Sequence, residues 1–168
     1  MSDLFNPKQI SQWYEEHYSN LALYCRQWLP QSEIEDAIQE VFLKIVQKRI
    51  TPENVKAWLF RSIRNASLNR LRTGKRRTHR EKETMSLADS WFEDRPDDQI
   101  DSETAQTALN ELKADEREIV ILRIWGETTF EEIADICAIS TATAFRKYQS
   151  GLDTLRNRME KPCRKHQK

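Results

Sequence analysis

The chain has 168 residues, and its 27 basic side chains balance 27 acidic ones, so it is electrically neutral although about a third of it is charged. Only three residues are glycine, and Glu, Lys, Arg, Gln, Leu and Ala are abundant, which predicts a mostly helical protein of one domain or two small ones. No apolar run approaches the roughly 20 residues needed to cross a bilayer, and the start, MSDLFNPKQISQWYEEHY, has acids and no apolar core segment, so no membrane insertion and no secretory signal are expected. A cytoplasmic location follows as the default.

The first helical pattern runs from about residue 9 to near Pro30, with Ile10, Trp13, Tyr14, His17, Leu21, Tyr24, Cys25 and Trp28 at three- and four-residue steps. Ser32 followed by Glu35 reads as a capping box opening a second helix, whose inner side holds Ile34, Ala37, Ile38, Val41, Phe42 and Ile45. Thr51 and Pro52 read as the cap and first-turn residue of a third helix, carrying Trp58, Leu59, Ile63, Ala66, Leu68 and Leu71. From Arg61 to Lys82 that segment holds nine Lys or Arg residues against one acid, Glu81. In a neutral chain this imbalance is local, and a basic helix with one apolar face suits a surface that holds a polyanion against a folded domain. Gly74 marks a place where this helix could end.

Between about Thr84 and Ser102 the pattern changes to Asp89, Glu93, Asp94, Asp97, Asp98 and Asp101 around Pro96, which reads as an acidic linker with a possible short turn near Trp91 and Phe92. Beyond it, one helix passes through Ala105, Leu109 and Leu112. Asp115 and Glu118 read as a capping pair for the next, with Ile119, Leu122, Ile124 and Trp125. Thr129 and Glu132 cap a short helix holding Ile133, Ala134, Ile136 and Cys137. After a tight turn over Ala138 and Ile139, Ser140 caps a longer helix with Ala144, Tyr148, Leu152 and Leu155. Short helix, tight turn and longer helix is the helix-turn-helix pattern. The tail from Arg156 to Lys168 carries six basic residues against Glu160.

Cys25, Cys137 and Cys163 show no C-x-x-C spacing and do not cluster with His17, His79 or His166, so neither a metal site nor a cofactor is expected. Cys25 and Cys137 read as small packing residues. No phosphate-binding glycine loop or nucleophilic constellation is visible, and an enzyme is not expected.

Two segments resemble a known family. IEDAIQEVFLKIVQ with AWLFRSIRNASLNRLRTGKRR looks like region 2, and LNELKADEREIVILRIWGETTFEEIADICAISTATAFRKYQSGLDTLRNRM looks like region 4, of extracytoplasmic-function sigma factors in the sigma-70 family. The resemblance implies an all-α fold of two small domains: a region 2 helical bundle at 9–82 and a region 4 helix-turn-helix at 102–161, with an acidic linker at 83–101 and a basic tail at 162–168. It also implies core RNA polymerase and promoter DNA, duplex and single-stranded, as partners, an anti-sigma protein as a possible further one, and a monomer when free.

Carried over by position, the resemblance places Asp36, Gln39, Glu40 and Phe42 toward the polymerase coiled coil. It places Arg61, Arg64, Asn65, Asn69 and Arg72 at the -10 element. Arginines grip phosphates, and an asparagine offers a donor and an acceptor to an unpaired base. Trp58 and Phe60 are nearby aromatic residues for stacking, although Trp58 also suits a core position. Asn69 departs from the aspartate of many relatives. Lys75, Arg76 and Arg77, with Arg80, suit phosphate attraction. At the -35 element the implied residues are Ser140, Thr141, Thr143, Phe145, Arg146, Lys147 and Gln149. Here the usual small-Gly-Thr-Val-Lys-Ser-Arg run is replaced by Thr141 to Lys147. Phe145 could meet a thymine methyl, Gln149 an adenine edge and Arg146 a guanine or phosphate, while Phe145 also suits a core or partner-binding position. Two other readings of the residues stand beside this one: a stand-alone helix-turn-helix regulator, or a helical adaptor that does not bind DNA.

Overall fold

A computed structural model describes residues 6–77 and 102–160, with side chains omitted at 75–77 and 102–103. The acidic segment, Arg80 and the basic tail beyond residue 160 lie outside the described residues. All regular elements among those described are α-helices, and the chain divides into two compact units, the first built on α1–α3 and the second on α4–α7.

Helix α1 spans Pro7–Cys25, with Asn6 accepting a hydrogen bond from the Lys8 amide and Pro7 in the first turn. It ends one turn before Pro30, and the intervening residues close through bonds from the Trp28 and Leu29 amides to the Cys25 carbonyl. Helix α2 spans Gln31–Lys48. Its cap is Pro30, in an extended conformation, so Ser32 falls inside the first turn and the expected Ser32–Glu35 box does not form. Glu35 instead accepts from the Gln39 side-chain amide at 3.0 Å. Helix α3 spans Val55–Arg77. Its start is fixed by Asn54, whose side-chain oxygen accepts from the Ala57 amide at 3.0 Å, and not by Thr51 and Pro52, which stay in the connection. Gly74 does not end the helix.

The core of this unit is formed by Leu21, Tyr24 and Cys25 of α1, Ile34, Ile38, Val41, Phe42 and Ile45 of α2, and Leu59, Phe60, Ile63 and Ala66 of α3. Tyr24 meets Phe60 edge-on at 5.3 Å and Trp28 at 4.9 Å, while Tyr14 meets Phe42 at 5.1 Å. The buried Ser67 hydroxyl donates to Cys25 Sγ at 3.7 Å. Burial pushes the Cys25 thiol up to about 12, so Cys25 is a packing residue and an inert thiol at neutral pH.

In the second unit α4 spans Ser102–Glu111, α5 Ala114–Ile124, α6 Phe130–Cys137 and α7 Thr141–Met159. The Asp115–Glu118 pair does not cap α5, because the helix starts one residue earlier, behind Lys113, and Glu118 is buried. The Thr129–Glu132 box forms in both directions, at 3.1 Å and 2.8 Å. Ala138 takes the left-handed conformation that stops α6, and Ser140 Oγ accepts from the Thr143 amide at 3.1 Å. Ion pairing of Arg158 with Glu111 and a 2.7 Å hydrogen bond from Ser150 to Glu116 tie α7 to α4 and α5.

A Cβ added at Gly151 would lie 2.9 Å from the buried Val120 Cγ2, whereas one at Gly74 would meet nothing within 4 Å. Gly74→Ala is therefore expected to stabilise the first unit by about 0.5–1 kcal/mol through helix propensity alone. Gly151→Ala should lose that gain to overpacking and destabilise the second by roughly 1–3 kcal/mol. Urea denaturation of the two variants, followed by circular dichroism, should move the midpoints in opposite directions.

Candidate nucleic-acid interface

Burial of Leu59, Phe60, Ile63, Ala66 and Ser67 turns one side of α3 inward and sets the rotation of the helix. On the opposite side stand Arg61, Arg64, Asn65, Asn69 and Arg72, all half-buried or exposed. Asn65 and Asn69 are one turn apart and both exposed, and the Arg72 guanidinium donates to Asn69 Oδ1 at 3.2 Å. Trp58, two turns before Asn65 on the same side, is half-buried and belongs to this face more than to the core. Phe60 is fully enclosed against Tyr24 and offers no stacking surface. Lys75, Arg76 and Arg77 continue the helix.

The strip can grip a phosphate chain through its arginines and hydrogen-bond base edges through its amides.

On α2, Asp36 and Gln39 are exposed, and Glu40 is half-buried. Glu40 bonds Lys44 at 3.1 Å and Arg70 at 3.1 Å. Hydrogen bonding from Lys44 first, then from Arg70, holds its carboxyl below the ordinary range against the opposing effect of partial burial. Phe42 lies in the core, because it falls on the inner side of the helix beside Val41 and Ile45. Two residues outside the expected set share the outer side: Leu43 is 54% exposed and Val46 is 45% exposed. Their signal in the sequence is that both fall off the Ile34–Ile45 core periodicity. Arg70 was likewise hidden, since only the fold brings it to Glu40.

In the second unit the exposed side of α7 presents Thr141, Phe145, Arg146 and Gln149. Ser140 and Thr143 are occupied in the helix cap, where Ser140 Oγ also donates to Thr143 Oγ1 at 2.8 Å. Arg146 donates to the Thr143 hydroxyl at 3.2 Å. Lys147 turns away from that side and forms an ion pair with Asp115 of α5. Phe145 is 47% exposed and touches the Phe130 ring, so it is not a core residue.

Two matches to sequence families agree with this division. Residues 13–77 match sigma-70 region 2, and residues 102–155 match sigma-70 region 4, together well over half of the chain. The chain belongs to the sigma-70 family, in its extracytoplasmic-function group.

Among solved structures, the fold is similar to the sigma factor RpoE in complex with the anti-sigma factor NepR from Bartonella quintana. The TM-score is 0.77 at 23% identity, covering 92% of this chain and 99% of that one. It is also similar to CnrH in complex with the cytosolic domain of CnrY, with a TM-score of 0.65 at 16% identity, covering 94% and 91%. At these identities the likeness is one of fold. No match is found among curated protein sequences.

Among the described residues no group of His, Cys, Asp or Glu is placed to hold a metal ion, and no helix is long and apolar enough to cross a membrane. The implied contact residues on α2 and α3 fall within the region 2 match, and those on α7 within the region 4 match.

The hydrogen bond from Lys147, assisted by the Glu116 amide, holds the Asp115 carboxyl below the ordinary 3.8, despite some desolvation. A depressed aspartate contributes stability above its unfolded value and loses it as pH falls through its folded value. Because the pair is partly exposed, with side-chain accessibilities of 32% and 51%, its worth is about 0.5 kcal/mol. Asp115→Asn should therefore lower the unfolding midpoint slightly at pH 7 and leave it unchanged near pH 2, as measured by chemical denaturation at both pH values.

Proposed function

We propose that this sigma factor binds core RNA polymerase through the outer side of α2 and directs initiation at promoters whose two elements are read by different units. On this reading Asp36, Gln39 and Glu40 supply polar contacts to the polymerase coiled coil, with Leu43 and Val46 as apolar ones. Residues 9–82 act as region 2, which captures the -10 element and helps to open it. Residues 102–161 act as region 4, which lays α7 in the major groove of the -35 element. The intervening 83–101 sets the reach between them.

The observation that carries the proposal is the α3 strip, where exposed Asn65 and Asn69 stand among arginines on the side opposite the core. Asparagine can donate to a phosphate, but its acceptor oxygen has no use there and suits a base edge. A base extruded from the stack exposes its Watson–Crick edge, and an amide can both donate to it and accept from it. Trp58 on the same side suits stacking with such a base. In the second unit the capped start of α7 at Ser140 would lie near a phosphate, while Thr141, Phe145, Arg146 and Gln149 face the base edges.

Each module contributes a few salt-sensitive contacts, and linking them raises the effective concentration of the second site once the first is bound. The likeness to RpoE, solved with NepR, supports an anti-sigma protein as a further partner, one that would hold the free monomer inactive.

The deciding experiment mixes the protein with core polymerase and maps transcripts made from genomic DNA in vitro. Starts sharing a two-part upstream motif are expected. No binding to core polymerase and no specific starts would overturn the proposal in favour of a stand-alone regulator or an adaptor.

Within that assay Asn65→Ala should reduce promoter opening by about tenfold, the worth of a lost base hydrogen bond and its unpaired partner. Binding to the closed duplex should be nearly unchanged. Permanganate footprinting set beside a duplex gel shift separates the two steps, and an equal loss in both would remove Asn65 from the opening role.

A further inference from the structure

Phe145 stands at the edge of the outward side of α7 with 47% of its surface accessible, beside exposed Thr141, Arg146 and Gln149. An isolated phenylalanine on a polar helix face would be free to change rotamer, but this one is held. Its ring meets Phe130, the first residue of α6, at 5.4 Å and 77°, and Phe130 also meets Tyr148 at 5.4 Å and 65°. The Arg123 guanidinium lies over the Phe130 ring, 4.9 Å from its centre.

Arg123 is itself anchored. It donates to the Thr128 carbonyl at 2.7 Å, and the buried Thr128 hydroxyl donates to the Leu122 carbonyl at 2.8 Å. A chain of contacts therefore runs from the backbone of α5 through Arg123 and Phe130 to an aromatic ring left half open to solvent. Such a brace has little purpose in a side chain that only fills surface. It suits one that must meet a small apolar target at a fixed position.

In the major groove the C5 methyl of thymine is the apolar group on the base edges. We propose that Phe145 reads a thymine methyl in the upstream promoter element, and that Phe130, backed by Arg123, is the positioning residue that sets the ring for that contact. This rests on the reading of α7 as the helix that enters the groove.

The test uses the full chain assembled with core polymerase. Duplexes selected by that holoenzyme from a library randomised in the upstream region supply the probe. Each thymine of the selected element is then replaced by uracil, which deletes the methyl group and leaves the pairing edge intact. At one thymine the replacement should weaken binding about fourfold, the worth of a single buried methyl group. In Phe145→Ala the same replacement should have no effect.

Phe130→Leu should bring the thymine-to-uracil ratio toward one, and Phe130→Tyr should restore it. Because the ratio compares two duplexes on one protein, a general loss of stability does not move it. Should Phe130→Leu fail to fold, the comparison at Phe145, an exposed position, still decides the inference.

A selected element that depends on Arg146 and Gln149 but is indifferent to uracil at every thymine overturns the inference and leaves the duplex-reading role of α7 standing. The same holds for an element with no thymine. No selected upstream element, or one insensitive to Arg146→Ala and Gln149→Ala, overturns both.

Discussion

The insertion of Leu59, Phe60, Ile63 and Ala66 between α1 and α2 fixes the rotation of α3, and the rest of the first unit depends on it. A helix of fixed rotation has a fixed outer side. Because these apolar residues recur at three and four positions, the arginines and asparagines between them must line up on the opposite side. A turn of the helix by one residue would place Asn65 toward the core and strand a buried amide, at a cost of several kcal/mol. Core packing and the exposed strip are thus two consequences of one periodicity. The Tyr24–Phe60 edge contact reinforces it by locking α3 to α1.

The second unit obeys a different constraint. Gly151 brings the backbone of α7 against Val120 and Glu116 of α5, closer than any larger residue would allow. That approach lets Ser150 reach Glu116 and lets Lys147 reach Asp115, so α7 is held along its inner side by polar as well as apolar contacts. On its outer side the contacts are fewer, a hydrogen bond from Arg146 to Thr143 and the ring contact of Phe145 with Phe130. Thr141, Phe145, Arg146 and Gln149 are left to whatever lies beyond the protein, on the proposed reading the edges of base pairs.

The helices themselves were legible because their apolar periods are strong and few glycines interrupt them. Helix-turn-helix punctuation was legible for a local reason. Thr129, Ala138 and Ser140 act within four residues of their partners, and Thr129 and Ser140 are followed by no competing cap. Three other starts were misread by two or three residues. Pro30 pre-empted Ser32, Asn54 was nearer to the first turn than Thr51, and α5 began ahead of Asp115. In each case a polar residue at suitable spacing was present, but only at α3 did a neighbouring side chain, Asn54, take a first-turn amide; α2 and α5 start behind Pro30 and Lys113 with no side-chain cap.

Side-chain fates were harder to read, since they depend on partners distant in sequence. Lys147 looked like a groove residue until Asp115, 32 positions earlier, claimed it. Arg70 looked like part of the basic run until Glu40 on α2 took it. Aromatic residues were ambiguous for another reason: adjacent Trp58, Leu59 and Phe60 are all apolar, and only the rotation of α3 says which one faces out.

Neutrality across the whole chain bears on how such a protein would work. With 27 charges of each sign, it has no large net field to draw DNA from a distance, so attraction must come from strips a few residues wide. Such strips act over about a Debye length, roughly 8 Å at physiological salt. Several cationic groups are also already engaged inside the fold, Arg70 by Glu40, Lys147 by Asp115 and Arg158 by Glu111. Each internal pair removes one candidate phosphate contact and fixes a helix in return. On the proposed reading the polymerase would add affinity to that of these strips, and the sigma factor would contribute discrimination through its amides and its braced aromatic ring. A chain built in this way gains little by scanning DNA unaccompanied, because nearly all of its specificity lies in short-range contacts that form only after the polymerase has brought the duplex within reach.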